Sequence, residues 1–194
     1  MAKALVAFLS ILIFGFKGNT QDGGPVQPAT LGIHFVFVDF KTAAAIRTTS
    51  LSTVLANHEF GKIKDMSQGL AISYGKGLSA HYDFTSTLLG SILAYPGDDG
   101  NNSTGEFPLL EMDACIRGKM FSDKSWFVPY VQAGVGFSKY QGYWNAFIPA
   151  GLGLQIGFFG EAYLRIDTQY RIAVTESAKY HFVHSIGLVG NIGQ

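Results

Sequence analysis

Charge is scarce in this 194-residue sequence: Asp, Glu, Lys and Arg make up 14% of it, against about a quarter in ordinary soluble domains. Fourteen basic residues balance fourteen acidic ones, so no net field draws the chain to nucleic acid or to an anionic surface. Nucleic acid is thereby excluded as a partner. A single cysteine, Cys115, rules out an internal disulfide. Beyond the N-terminus no apolar run approaches the roughly 20 residues that a spanning helix needs. A mature chain that lives in a membrane must therefore cross it as a closed barrel of strands, which leaves no backbone polar group unpaired in lipid.

What is plentiful is glycine, 24 residues, and aromatic side chains, 14%. The N-terminus has the three parts of an export signal: Lys3, an apolar run from Ala4 to Phe16, and small residues from Gly18 to Thr20. Cleavage is expected before Gln21, so that residues 1–20 form a signal peptide, 21–30 a Gly- and Pro-containing linker, and 31–194 one domain.

Period-two patterns bounded by turn formers continue almost to the end. They predict strands over Leu31–Lys41, Gln68–Gly75, Ala80–Tyr95, Phe107–Met120, Phe127–Lys139, Phe147–Phe158, Glu161–Ile172 and Tyr180–Ile192. No helix is expected among them, apart from a helical turn over Leu51–His58. Tight turns are predicted at Lys76–Ser79, Phe121–Trp126 and Phe159–Gly160, and longer loops at Thr42–Ser67, Pro96–Glu106, Tyr140–Ala146 and Ala173–Lys179. Short and long connections alternate, so each kind gathers at its own end. The fold class expected is all-β: a closed, antiparallel, up-and-down transmembrane β-barrel of about eight strands, with short periplasmic turns, long external loops and both termini in the periplasm. Asn102-Ser103-Thr104 matches a glycosylation acceptor and reads as a solvated loop tip.

Each strand divides into two faces. Ala162, Leu164, Ile166, Thr168 and Tyr170 oppose Tyr163, Arg165, Asp167, Gln169 and Arg171; Leu110, Met112, Ala114 and Ile116 oppose Glu111, Asp113, Cys115, Arg117 and Lys119. Opposite Val131, Ala133, Val135 and Phe137, and opposite Leu152, Leu154 and Ile156, stand mainly glycines and other small residues, a poor soluble exterior but room for long side chains in a lumen. The apolar faces are therefore assigned to lipid. Tyr95, Trp126, Phe127, Tyr140, Tyr143, Trp144, Phe158, Phe159 and Tyr180 lie near strand ends, where aromatic girdles belong. The polar faces become a lumen ion-pair network of Glu111, Asp113, Arg117, Lys119, Arg165, Asp167 and Arg171, with Asp83 and His81 as further candidates. Such charges are expected to pair, plugging a lumen that eight strands leave only wide enough for side chains.

Catalytic and metal chemistry finds little support in the sequence. His184 and Ser185 are neighbours and point to opposite faces of a strand; His181 and Ser185 share a face but stand four residues apart, too far for a direct bond. The five histidines lack ligand spacing and Cys115 lacks a partner. Gly151, Gly153 and Gly157 miss the dinucleotide spacing by one residue. No catalytic residue, metal or cofactor is expected.

Three segments carry a resemblance: Gly69-Leu70-Ala71-Ile72-Ser73-Tyr74-Gly75-Lys76-Gly77-Leu78 leading into Tyr82-Asp83-Phe84, Pro129-Tyr130-Val131-Gln132-Ala133-Gly134-Val135-Gly136, and His184-Ser185-Ile186-Gly187. Through them the mature chain resembles the N-terminal transmembrane barrel of OmpA-like outer-membrane proteins. The resemblance implies a structural role in the outer membrane, with outer-membrane lipid and lipopolysaccharide as surroundings. It also implies peptidoglycan as a partner, through a domain following a linker, or other outer-membrane proteins. This sequence departs from the pattern at Gly193-Gln194, where that linker would begin, and lacks the terminal aromatic of many barrel-only members. Two forms stay open: the barrel part of a longer protein, and a barrel working alone or beside partners. A narrow channel, an outer-leaflet lipid-modifying enzyme and a soluble lipocalin-like barrel are the alternatives.

Overall fold

The computed structural model describes residues 26–94, 106–140, 142–158, 162–176 and 178–192. The expected signal peptide, Tyr95, Phe159, the Asn102 acceptor and the turn at Phe159–Gly160 lie outside the described residues.

Alternating side chains drive the sheet: one face of each strand is withdrawn from solvent and the other is not, so the sheet must curl until the inner faces meet. Eight strands do so, β1 Thr30–Asp39, β2 Ser67–Gly77, β3 Tyr82–Ala94, β4 Glu106–Lys119, β5 Phe127–Tyr140, β6 Tyr143–Phe158, β7 Ala162–Ala173 and β8 His181–Asn191. Each pairs antiparallel with the next, and β1 closes on β8 from Thr30↔Asn191 to Asp39↔Phe182, giving a closed up-and-down barrel. Closure removes both sheet edges. The N- and C-terminal ends of the strand sequence meet at one mouth, here the turn end; the connections after β1, β3, β5 and β7 form the loop end.

Two features depart from the expected layout. β1 stops at Asp39 rather than Lys41, and a helix, α1, runs over Phe40–Thr48. Asp39 turns the chain by accepting a 2.8 Å hydrogen bond from the Thr42 amide, an N-cap that satisfies one of the helix's free amides. A second helix, α2 Leu51–Ala56, falls where the helical turn was expected, capped by Ser50. The second departure is at Tyr140–Ala146, which is no long loop: β5 continues through Tyr140 and β6 starts at Tyr143, with Tyr140 paired to Tyr143. Gly142 carries φ +86°, a backbone state that glycine adopts without strain, and it lets the chain reverse there.

The outward face is mostly apolar. Ile33, Phe35, Val135, Leu152 and Leu188 are each about two-thirds exposed, from 64% to 67%. Inside, two glycines decide what fits. A Cβ on Gly153 would run into the Tyr130 ring, and one on Gly187 into the His34 imidazole, so the space that these small residues leave is taken by an aromatic and a histidine from other strands. The loop-end half of the interior near β1, β2 and β3 is apolar, built from Val36, Val38, Ala71, Leu89, Leu93, Leu109 and Val183, with Phe40 and Tyr140 packed on it.

Candidate functional site

The lumen holds the polar chemistry, in three layers. At the turn end β4 brings Lys119 beside Asp83 of β3, at 2.8 Å, and beside Asp123 of the following turn, at 2.5 Å. His81 does not join them: its side chain is exposed on the turn before β3, and only its carbonyl takes part, accepting from the Lys119 amide. Gln27 crosses this mouth. Its carbonyl accepts from the Gly77 amide at 3.0 Å, while the Ala29 carbonyl accepts from Ile192, so residues 26–29 lie against the opening.

In the middle layer two guanidiniums rest on neutral groups. Arg117 donates from Nε to Gln132 at 3.3 Å and lies 5.0 Å over the Tyr130 ring. Arg165 donates to Gln155 at 3.3 Å. Asp167 accepts from Tyr130 at 3.2 Å, Gln132 at 3.4 Å and Ser185 at 3.1 Å. Nη1 of Arg117 and Nε and Nη1 of Arg165 meet no hydrogen-bond partner among the described residues. Nearby, His34 Nε2 and Ser73 Oγ are 2.7 Å apart. A cavity of about 20 Å³ opens among His34, Arg117, Asp167 and Ser185, room for about one water.

Toward the loop end Arg171 donates to Glu111 and, at 2.9 Å, to Asp113. His181 stands 3.3 Å from Glu111 and packs its ring against the Phe40 ring, 4.6 Å between centroids, which sets α1 over this layer. Phe147 lies under the Arg171 guanidinium at 4.7 Å.

All seven charged residues named from the sequence are buried on the inner face. The structure brings Glu111, Asp113 and Arg171 together, joins Lys119 to Asp83, and holds Arg117 and Arg165 on amides instead of carboxylates. The sequence puts Tyr130, Gln132 and Gln155 on the lumen face without a role in the network; His34, Ser73 and Asp123 were missed, although His34 and Ser73 occupy the inward parity of their strands. His181 and Ser185 engage different carboxylates, Glu111 and Asp167, and His184 points outward, where its Nδ1 lies 3.0 Å from Thr168 Oγ1. These three residues form no base and nucleophile pair. Among the described residues no group of His, Cys, Asp and Glu suits a metal ion.

The aromatics divide as well. Phe127 and Phe158 face outward at the turn end and Trp144 at the loop end, while Trp126 and Tyr143 stand exposed on the two rims. Tyr180 lies outside the barrel under the Arg47 guanidinium, at 4.0 Å. Tyr140 is no girdle residue: the continued β5 turns it inward onto the apolar lumen cluster.

The closed eight-stranded barrel, with a mostly apolar outer wall and a filled lumen, has the fold of small outer-membrane barrels. The outer-membrane protein OprG of Pseudomonas aeruginosa matches with a TM-score of 0.58 at 10% identity, covering 89% of this chain and 99% of its own. The N-terminal β-barrel domain of Pseudomonas aeruginosa OprF matches at 0.54 and 11% identity, covering 87% and 100%. Neisserial surface protein A follows at 0.51 and 13%, covering 84% and 96%. No family model and no curated protein sequence matches the chain.

Proposed function

We propose that this protein is a non-enzymatic barrel of the outer membrane that acts by holding a fixed place there, as a structural anchor or a subunit of a larger assembly, and not as a pore. The observation that carries the reading is the crossing of the interior by Arg171, which reaches from β7 to Glu111 and Asp113 on β4. Residues 26–29 lie at one mouth and α1 at the other. A mostly apolar outward wall suits lipid and is unfavourable in water. Export through a signal peptide ending before Gln21 and periplasmic termini complete the proposal. The OprF barrel is the N-terminal domain of its protein, which supports an anchor form in which a domain encoded after Gln194 reaches peptidoglycan.

Fractionation with electrophoresis of heated and unheated samples tests the membrane reading: the protein is expected in the outer-membrane fraction with a heat-dependent shift, and recovery in the soluble fraction without one overturns it. Planar-bilayer recording tests the closed lumen. Discrete conductance steps from the purified barrel would replace the anchor by a narrow channel.

A further inference from the structure

The mostly apolar outer wall opens over β2 to β4. β2 to β6 set Leu70, Gly90, Leu110, Lys139 and Trp144 side by side in a single outward row. Gly90 stands at the middle of its apolar part, and a Cβ built there meets nothing within 4 Å. A groove of about 1050 Å³ opens over Gly90, walled by Leu70, Ile92, Pro108 and Leu110 and reaching Lys139. Lys139 precedes the last residue of β5, and its ammonium lies 5.4 Å from the Trp144 ring.

A lysine on a lipid-facing row is favourable only where its stem can run along apolar surface and its ammonium can reach the headgroups. Trp144 marks that depth, since tryptophan prefers the membrane interface. The row therefore presents a slot in the hydrocarbon region with a cation at headgroup level. We infer that this groove is a site for one phospholipid of net negative charge, its phosphate on Lys139 and an acyl chain over Gly90. Charge complementarity selects this occupant: a zwitterionic or uncharged lipid fills the slot equally but gains less at Lys139. The inference rests on the membrane reading above.

The test uses the full chain with Trp126→Phe, which leaves Trp144 as the sole tryptophan of the two in the sequence. The protein is placed in phosphatidylcholine vesicles containing either chain-brominated phosphatidylglycerol or chain-brominated phosphatidylcholine, and Trp144 quenching is titrated. Phosphatidylglycerol is expected to quench at about fivefold lower mole fraction, the preference that one basic residue at a membrane surface gives. Lys139→Gln should abolish the preference, and Gly90→Leu, which fills open space, should weaken quenching by both lipids alike; Gly90→Ala serves if the leucine variant loses its heat-dependent shift. Equal quenching by both lipids in the parent protein, a preference that survives K139Q, or a groove-filling variant that changes nothing overturns the site. An oligomer that G90L dissociates gives the groove to a second copy and also overturns it. Failure to float with the vesicles at all instead sinks the membrane reading.

Discussion

Arg171 of β7 bonds to both Glu111 and Asp113 of β4, strands separated by β5 and β6 along the wall, so the ion cluster ties opposite sides of the barrel through its interior. All three side chains are at most 1% exposed. Removing the guanidinium leaves two carboxylates buried side by side. Arg171→Met is expected to destabilise the barrel by about 3–5 kcal/mol, and adding Glu111→Gln and Asp113→Asn to recover most of the loss. Urea unfolding of vesicle-inserted protein, followed by the heat-shifted band, measures both; a triple variant no more stable than the single one would contradict the assignment.

The direction of the wall can be tested by one charge. Leu152 faces outward near the middle of β6, between the inward glycines Gly151 and Gly153. Leu152→Arg is expected to cost about 2–4 kcal/mol in a bilayer and far less in detergent micelles, where a charged side chain reaches water readily. Equal cost in both media would speak against a lipid-facing Leu152.

Residues 26–29 at the turn end depend on Gly77, whose added Cβ would stand 2.6 Å from the Gln27 amide nitrogen. Gly77→Val should push the segment away, speeding exchange of the residue 77 amide that now donates to Gln27, and lower stability by about 1–3 kcal/mol. Hydrogen exchange resolved by mass spectrometry reads the first effect. Unchanged protection would show that the segment does not rest on this glycine.

The buried position of Cys115 makes it a silent background for labelling. Ser52→Cys on α2 and Lys124→Cys on the β4–β5 turn lie at opposite mouths and are exposed. In intact cells a membrane-impermeant maleimide should label S52C only. Labelling of K124C alone would invert the proposed orientation.

In the loop outside the strands, the hydrogen bond from Lys41 holds the Asp65 carboxyl below the usual carboxylate range. A depressed pKa stabilises the loop fully above the unfolded value of about 3.9 and loses that contribution as pH falls through the folded value. Amide exchange over residues 41–65, corrected for intrinsic rates, is expected to accelerate below about pH 4, and only slightly, because the pair is exposed. Lys41→Met should flatten this dependence; an unchanged profile would detach it from the pair.

Strand positions were legible because period two survives in almost every segment, with ends within a few residues of those observed. The α1 helix was not, because the β1 pattern ends directly in Phe40-Lys41 and the cap from Asp39 to Thr42 requires knowing that the strand has stopped. Tyr140–Ala146 looked like a loop because it holds two turn formers, Gly142 and Asn145, yet Asn145 pairs with Ser138 in the sheet and the single glycine of positive φ makes the reversal. Parity placed the seven lumen charges on one face, but which cation meets which anion depends on register around the whole circumference. Arg117 and Arg165 illustrate this: nothing local says that Gln132 and Gln155, rather than Asp167, accept from them. The apolar half of the lumen was hidden because Val36 and Val38 lie in a strand whose outward residues are apolar too.

The contact between Gly187 and His34 ties two positions far apart in the chain into one choice of volume. A side chain at 187 demands a smaller residue at 34, and Ser73 would then lose its imidazole neighbour. The same holds for Gly153 with Tyr130. Sequences that keep this interior should therefore vary at these positions in concert, large for small, with the girth of the barrel held constant while the identity of the occupant changes sides.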